Sequence, residues 1–139
     1  MVKYKVSAVS YLNTRPYIYG LKNSTIFNQI ELSLDYPSLC ADKLLNNQVD
    51  IGLIPVATIP KIKNAQIISD YCIGSDGEVD TVCVYSNVPI LEIESIALDY
   101  QSRTSTALLR LLLNEYWKIT PQLTTTESGF ENKINGKHA

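Results

Sequence analysis

Histidine, basic clusters, paired cysteines and long apolar runs are all scarce in this 139-residue chain, and each scarcity excludes something. The one histidine, His138, is the penultimate residue, where fraying is expected, so neither a histidine base nor a multi-histidine metal centre is expected. Cys40, Cys72 and Cys83 are an odd number with wide spacings and no C-x-x-C, which argues against a disulfide framework and a zinc site. Each is expected to fill a small apolar gap rather than to react. Lys and Arg number 12 against 14 Asp and Glu, a formal charge of −2, with no basic stripe. Nucleic acid is therefore not an expected partner, because phosphate neutralisation needs clustered cations. The longest uncharged apolar stretches, such as residues 51–59, fall short of the ~20 residues a membrane helix needs and are broken by proline, so no bilayer span is expected. Met1-Val2-Lys3-Tyr4-Lys5-Val6 opens no apolar block with a cleavage site, so no secretory signal is read and a cytoplasmic location is expected. There is no internal repeat and no low-complexity tract.

What remains is an ordinary globular composition, 45% hydrophobic and 19% charged, in a length common for one domain and short for two. Val2, Tyr4, Val6 and Ala8 alternate with Lys3, Lys5 and Ser7, the period of a strand. Asn13 and Thr14 suit a helix start and Pro16 its first turn, so residues 14–21 read as a short helix. Ile30, Leu32 and Leu34 alternate again, and Pro37 opens a helix to about residue 46 with Cys40, Ala41, Leu44 and Leu45 inward. Residues 49–54 form an apolar run expected of a strand covered on both faces. A short helix from Pro55, a strand over 66–69, a bend over 70–78 and a β segment over 79–86 complete the first section.

After Pro89 the pattern restarts, with a strand over 95–98 and a helix over 103–117, capped by Ser102, with Ala107, Leu108, Leu111 and Leu112 inward. A last strand over 123–126 precedes a polar tail. The alternation predicts an α/β fold with a largely parallel sheet, divided into residues 1–88 and 89–139. The second section holds too little apolar material to close an independent core comfortably and reads as half a domain.

In such folds ligands sit beyond the carboxyl ends of strands, where helix N-termini present unpaired N–H groups. Two segments stand there: Ser10-Tyr11-Leu12-Asn13-Thr14-Arg15-Pro16, and Asp99-Tyr100-Gln101-Ser102-Arg103-Thr104-Ser105-Thr106. Each combines hydroxyls, an arginine and a positive helix end, the set that binds carboxylate or phosphate. The same residues also serve as ordinary caps and solvated arginines. Asp50 and Asp99, both at strand ends, stand as candidate general bases or as turn caps, and Pro37-Ser38 and Ser75-Asp76-Gly77 are further loops that could line a site.

Four ordered motifs sharpen this. Ser10-Tyr11-Leu12-Asn13-Thr14-Arg15-Pro16, Val49-Asp50-Ile51-Gly52-Leu53-Ile54-Pro55-Val56, Ile67-Ile68-Ser69-Asp70-Tyr71-Cys72-Ile73-Gly74 and Leu98-Asp99-Tyr100-Gln101-Ser102-Arg103-Thr104-Ser105 occur in that order. Together they resemble the chorismate dehydratases of the futalosine route to menaquinone. The resemblance implies a type II periplasmic-binding-protein-like fold of two lobes with an interlobe cleft. It also implies a lyase that converts chorismate to 3-[(1-carboxyvinyl)oxy]benzoate and water, with no metal or organic cofactor.

Carried over by motif, Asn13 is the polar group expected close to the reacting ring. Ser10, Tyr11, Thr14 and Arg15 are the substrate-binding neighbours on its turn, Ser102, Arg103, Thr104 and Ser105 the carboxylate cradle, and Thr81 a hydrogen-bond donor. The family's chains cross to a second lobe and return to the first. This one is expected to cross once, near residues 86–91, leaving the second lobe and the return incomplete. That leaves three alternatives: a non-catalytic small-anion binding module, an inactive fragment, or a homodimer completed by complementation or swapping.

Overall fold

The computed structural model describes residues 3–130 and 134–139, so Val2 of the first strand pattern lies outside the described residues. The chain forms two compact units, Met1–Ser75 and Asp76–Ala139. Both are mixed α/β units built on small parallel sheets.

In the first unit β1 (Tyr4–Val9) is the central strand, flanked by β2 (Ile30–Asp35) and β3 (Ile51–Gly52), both parallel to it. The β1–β2 register runs from Tyr4 opposite Ile30 to Val9 opposite Asp35. Val6, Ser7, Ala8 and Val9 are all buried, as befits a parallel strand covered on both faces. α1 (Arg15–Lys22) and α2 (Pro37–Leu45) each begin with proline in the first turn, where its missing N–H leaves no helical bond unmade. α2 buries Cys40 and Ala41 completely. Gly52 admits this close layer: a Cβ there would lie 3.1 Å from Ile54 and 3.3 Å from Leu44 of α2.

The second unit pairs β4 (Ser95–Leu98) in parallel with β5 (Gln122–Thr125). α3 (Arg103–Leu112) and a π turn at Leu113–Trp117 connect them, and the turn ends at Lys118 in the left-handed region, φ 55°. Ile93, Ile96, Leu98, Leu113 and Ala139 form its core, with Leu109, Trp117 and Leu123 packed against it.

Several expectations need correction. Residues 66–69 and 79–86 form no strands; no ladder partner stands beside them among the described residues, and a strand-like pattern without a neighbour has no bonds to hold it extended. Ile67, Tyr71 and Tyr85 are exposed there, and the chain turns, with the Val82 amide bonded to the Val79 carbonyl. α3 is rotated from the expected face. Leu109, Leu113 and Trp117, spaced i, i+4, i+8, meet the core, while Ala107, Leu108 and Leu111 are exposed and Leu112 is half-buried. The run 49–54 narrows to a two-residue strand and is only half-buried over most of its length. Cys40 is buried, but Cys72 and Cys83 are exposed rather than gap-filling.

The tail is not frayed at His138. The Ala139 amide donates to the Ser95 carbonyl (2.9 Å), the Ala97 amide donates to the Ala139 carbonyl (2.7 Å), and Ala139 is buried. Among the described residues no helix is long and apolar enough to cross a membrane.

Candidate functional site

The first polar segment begins where β1 ends. The Ser10 amide donates to the Asp35 carbonyl at 2.8 Å, the last rung between β1 and β2. Tyr11 is extended, and Leu12–Thr14 make one 3-10 turn, closed by the Thr14 amide on the Tyr11 carbonyl (3.1 Å), that runs directly into α1. Thr14 is fully buried, whereas Ser10, Tyr11, Asn13 and Arg15 are exposed around it. The Thr14 hydroxyl reaches the Asn13 side-chain oxygen only loosely, at 3.5 Å. Thr14 therefore anchors the turn through burial, and the turn presents four polar side chains to solvent.

Beneath the turn lies a cluster that the sequence did not announce. Asp35 Oδ2 accepts hydrogen bonds from Ser7 Oγ (2.8 Å) on β1, Ser33 Oγ (2.8 Å) on its own strand and Lys43 Nζ (2.6 Å) on α2. Lys43 Nζ also donates to Ser33 Oγ at 3.2 Å. Burial pushes the Asp35 carboxyl up, but the hydrogen bonds from Lys43, Ser7 and Ser33 together outweigh it and hold the group below the ordinary carboxylate value. Burial pushes the neighbouring Cys40 thiol up, which keeps it an unreactive packing residue.

The second polar segment follows β4. Asp99 Oδ1 accepts the Gln101 amide at 2.9 Å, closing a local turn, and Gln101 Nε2 donates to the Tyr100 hydroxyl at 2.7 Å. Ser102 caps α3: its Oγ accepts the Ser105 amide (3.3 Å) and donates to Ser105 Oγ (2.7 Å), while its carbonyl accepts the Thr106 hydroxyl (2.8 Å). Ser102, Arg103, Thr104 and Ser105 are half-buried in one contiguous turn at the positive end of a ten-residue helix.

Each group of expected residues is thus gathered within its own unit: Ser10, Tyr11, Asn13, Thr14 and Arg15 on one turn, and Ser102 to Ser105 on the other. Thr81 stands apart from the latter in sequence, exposed in the irregular segment 79–86. Both strand-end aspartates act as backbone caps, Asp50 through Oδ2 accepting the Lys5 amide (2.8 Å) and Asp99 as above.

A separate pocket of about 440 Å³ in the second unit is lined by Ser95, Thr124, Thr126, Ser128, Phe130 and His138 among others, and includes none of the expected site residues. In it Ser95 Oγ is hydrogen-bonded to His138 Nδ1. Among the described residues no group of three His, Cys, Asp or Glu side chains is placed to hold a metal ion.

Two polar turns, each leaving a parallel strand and opening a helix, occupy the places where an α/β enzyme receives a small anion. Comparison with known families agrees with an enzyme of small-molecule metabolism: the family described as menaquinone biosynthesis matches residues 4–139, nearly the whole chain. The chain belongs to this family of biosynthetic enzymes and has a role in menaquinone biosynthesis.

Proposed function

We propose that the chain carries the chorismate dehydratase reaction, in which chorismate loses its ring hydroxyl and a neighbouring ring proton to give 3-[(1-carboxyvinyl)oxy]benzoate and water. The observation that supports it best is the α3 turn: Ser102, Thr104 and Ser105 hydroxyls with the Arg103 guanidinium at a helix N-terminus suit a carboxylate, in a chain whose family match spans residues 4–139. Aromatisation of the ring supplies the driving force. The site has to orient the carboxylates, relay a proton and assist departure of hydroxide, tasks open to hydroxyl, amide and guanidinium groups. In this reading Asn13 lies close to the reacting ring, with Ser10, Tyr11, Thr14 and Arg15 around it; Ser102 to Ser105 cradle a carboxylate, and Thr81 donates a hydrogen bond. The two units correspond to portions of the two lobes of a periplasmic-binding-protein-like fold.

The test is incubation of the purified chain with chorismate and chromatographic detection of the carboxyvinyloxy-benzoate. Product is expected, and Asn13→Ala and Arg103→Ala should each lower turnover by roughly 100-fold, the scale of losing one positioned polar group in a transition state. Wild-type rates in both variants remove the site assignment. Chorismate binding without product from folded protein would make the chain an anion-binding module instead.

A further inference from the structure

We propose that Asp35 is a positioning residue for the turn bearing Asn13: its carboxylate fastens β1, β2 and α2 together, while its own backbone carbonyl holds the amide of Ser10. The inference deepens the proposed dehydratase reading and rests on it for the role of Asn13. The side chain and the carbonyl of one residue perform two linked tasks. Donors arrive at Oδ2 from three elements, Ser7 from β1, Ser33 from β2 and Lys43 from α2, so the end of β2 cannot shift without breaking bonds to its neighbours. The carbonyl of that immobilised residue accepts the Ser10 N–H at 2.8 Å, beyond the last residue of β1.

A bond at the end of a ladder opens readily unless its acceptor is fixed, because only one rung has to break. From Ser10 the chain passes through three exposed residues to Thr14, which is buried. The turn therefore hangs between two anchors, and Asn13 sits next to one of them. The Thr14 anchor is local. The Ser10 anchor depends on Asp35, and through it on Lys43, whose side chain is about three-quarters covered and whose ammonium supplies the charge that keeps the carboxylate in place (side-chain exposures 23% for Lys43 and 11% for Asp35). Asp35 meets the expected substrate site only through this backbone bond to Ser10, so its effect passes through the backbone.

The experiment compares amide hydrogen exchange in the full wild-type chain and in Asp35→Asn, residue by residue by NMR. Asp35→Asn keeps the shape and one acceptor oxygen but removes the charge. Exchange at Ser10, and at Thr14 because its amide bonds the carbonyl of Tyr11 next to Ser10, is expected to accelerate roughly tenfold or more, the scale of weakening a charged hydrogen-bond cluster. Exchange at Asp50 and Leu53, whose amides bond to Lys5 and Ser7 on the opposite edge of β1, is expected to stay near wild type. Equal acceleration at all four amides would show a merely structural residue and overturn the proposal, as would unchanged protection at Ser10. Should Asp35→Asn not fold, Lys43→Gln removes the other half of the pair and is read against the same four amides. In protein that turns over chorismate, Asp35→Asn should lower kcat with KM little changed, and an unchanged kcat also overturns the positioning role. Absence of product from the wild type would defeat the dehydratase reading alone, since the exchange contrast needs no substrate.

Discussion

Replacing Ser102 by aspartate separates the two jobs assigned to the α3 turn. As a cap, Ser102 Oγ accepts the Ser105 amide and meets the Ser105 hydroxyl. An aspartate accepts from both and adds a negative charge at the positive end of the helix, so it should hold α3 as well as serine does. Ser102→Ala, which removes the acceptor, should lower stability by about 1 kcal/mol. Binding responds in the opposite way. A carboxylate at position 102, roughly 5 Å from a bound substrate carboxylate, opposes it by about 1 to 3 kcal/mol for an effective dielectric between 80 and 20, or roughly 5- to 150-fold in affinity. Thermal denaturation with titration calorimetry against chorismate reads both quantities on the same samples. The expected pattern is wild-type stability with weakened binding for Ser102→Asp. Wild-type affinity in that variant would refute the carboxylate cradle, and stability as low as that of Ser102→Ala would refute the cap.

Ile96, 2% exposed between Leu98 and Leu113 in the second unit's core, should cost about 2 to 5 kcal/mol when cut to alanine; thermal denaturation showing a loss under about 1 kcal/mol would mean that this core does not hold the unit. Lys118 holds φ 55° at the end of the π turn, so Lys118→Gly should raise stability by about 0.5 to 1 kcal/mol in chemical denaturation, and a decrease would show that the lysine makes compensating contacts. Asp35 has a folded pKa lowered from 3.8, so the unfolded chain takes up its proton first as pH falls. Its contribution is therefore complete above about pH 4 and is lost as pH falls through the folded value; an acid titration should show a shallower loss in Asp35→Asn over that window, and identical slopes would contradict the ion pair.

The parts that were legible in the sequence are those specified by neighbouring residues. Alternation around Tyr4, Val6 and Ala8, and around Ile30, Leu32 and Leu34, marks two strands because burial on a pleated ribbon has period two. Pro16, Pro37 and Ser102 mark helix starts because each acts within its own first turn. The same logic explains the failures. Residues 79–86 carry a strand pattern, yet a pattern specifies only readiness to pair, and pairing needs a second strand. The expected inward face of α3 is wrong because Leu108, Leu109, Leu111, Leu112 and Leu113 nearly encircle the helix, leaving the choice to what β4 offers opposite. The Asp35 cluster had no local signature. Ser7 meets Ser33 only through the β1–β2 register, Asp35 lies two residues along the same face, and Lys43 reaches that face from α2.

That contrast separates the two candidate turns. The α3 turn is built from its own residues: Asp99 closes the bend, Ser102 caps the helix, and Thr106 bonds back to Ser102, all within eight positions. Its geometry should tolerate change elsewhere in the unit so long as β4 and α3 persist. The Ser10–Thr14 turn lacks a side-chain cap of its own, since neither Tyr11 nor Thr14 makes one. It borrows its order from a carbonyl twenty-five residues later in the chain and from a lysine eight residues beyond that. In the proposed reaction, where Asn13 meets the reacting ring, an anchor of this kind would serve it, because a clamp spanning three elements resists displacement better than a free loop. It also becomes sensitive to substitutions far from any substrate, and for that reason residues 33, 35 and 43 belong in any mutational survey of this enzyme's first turn.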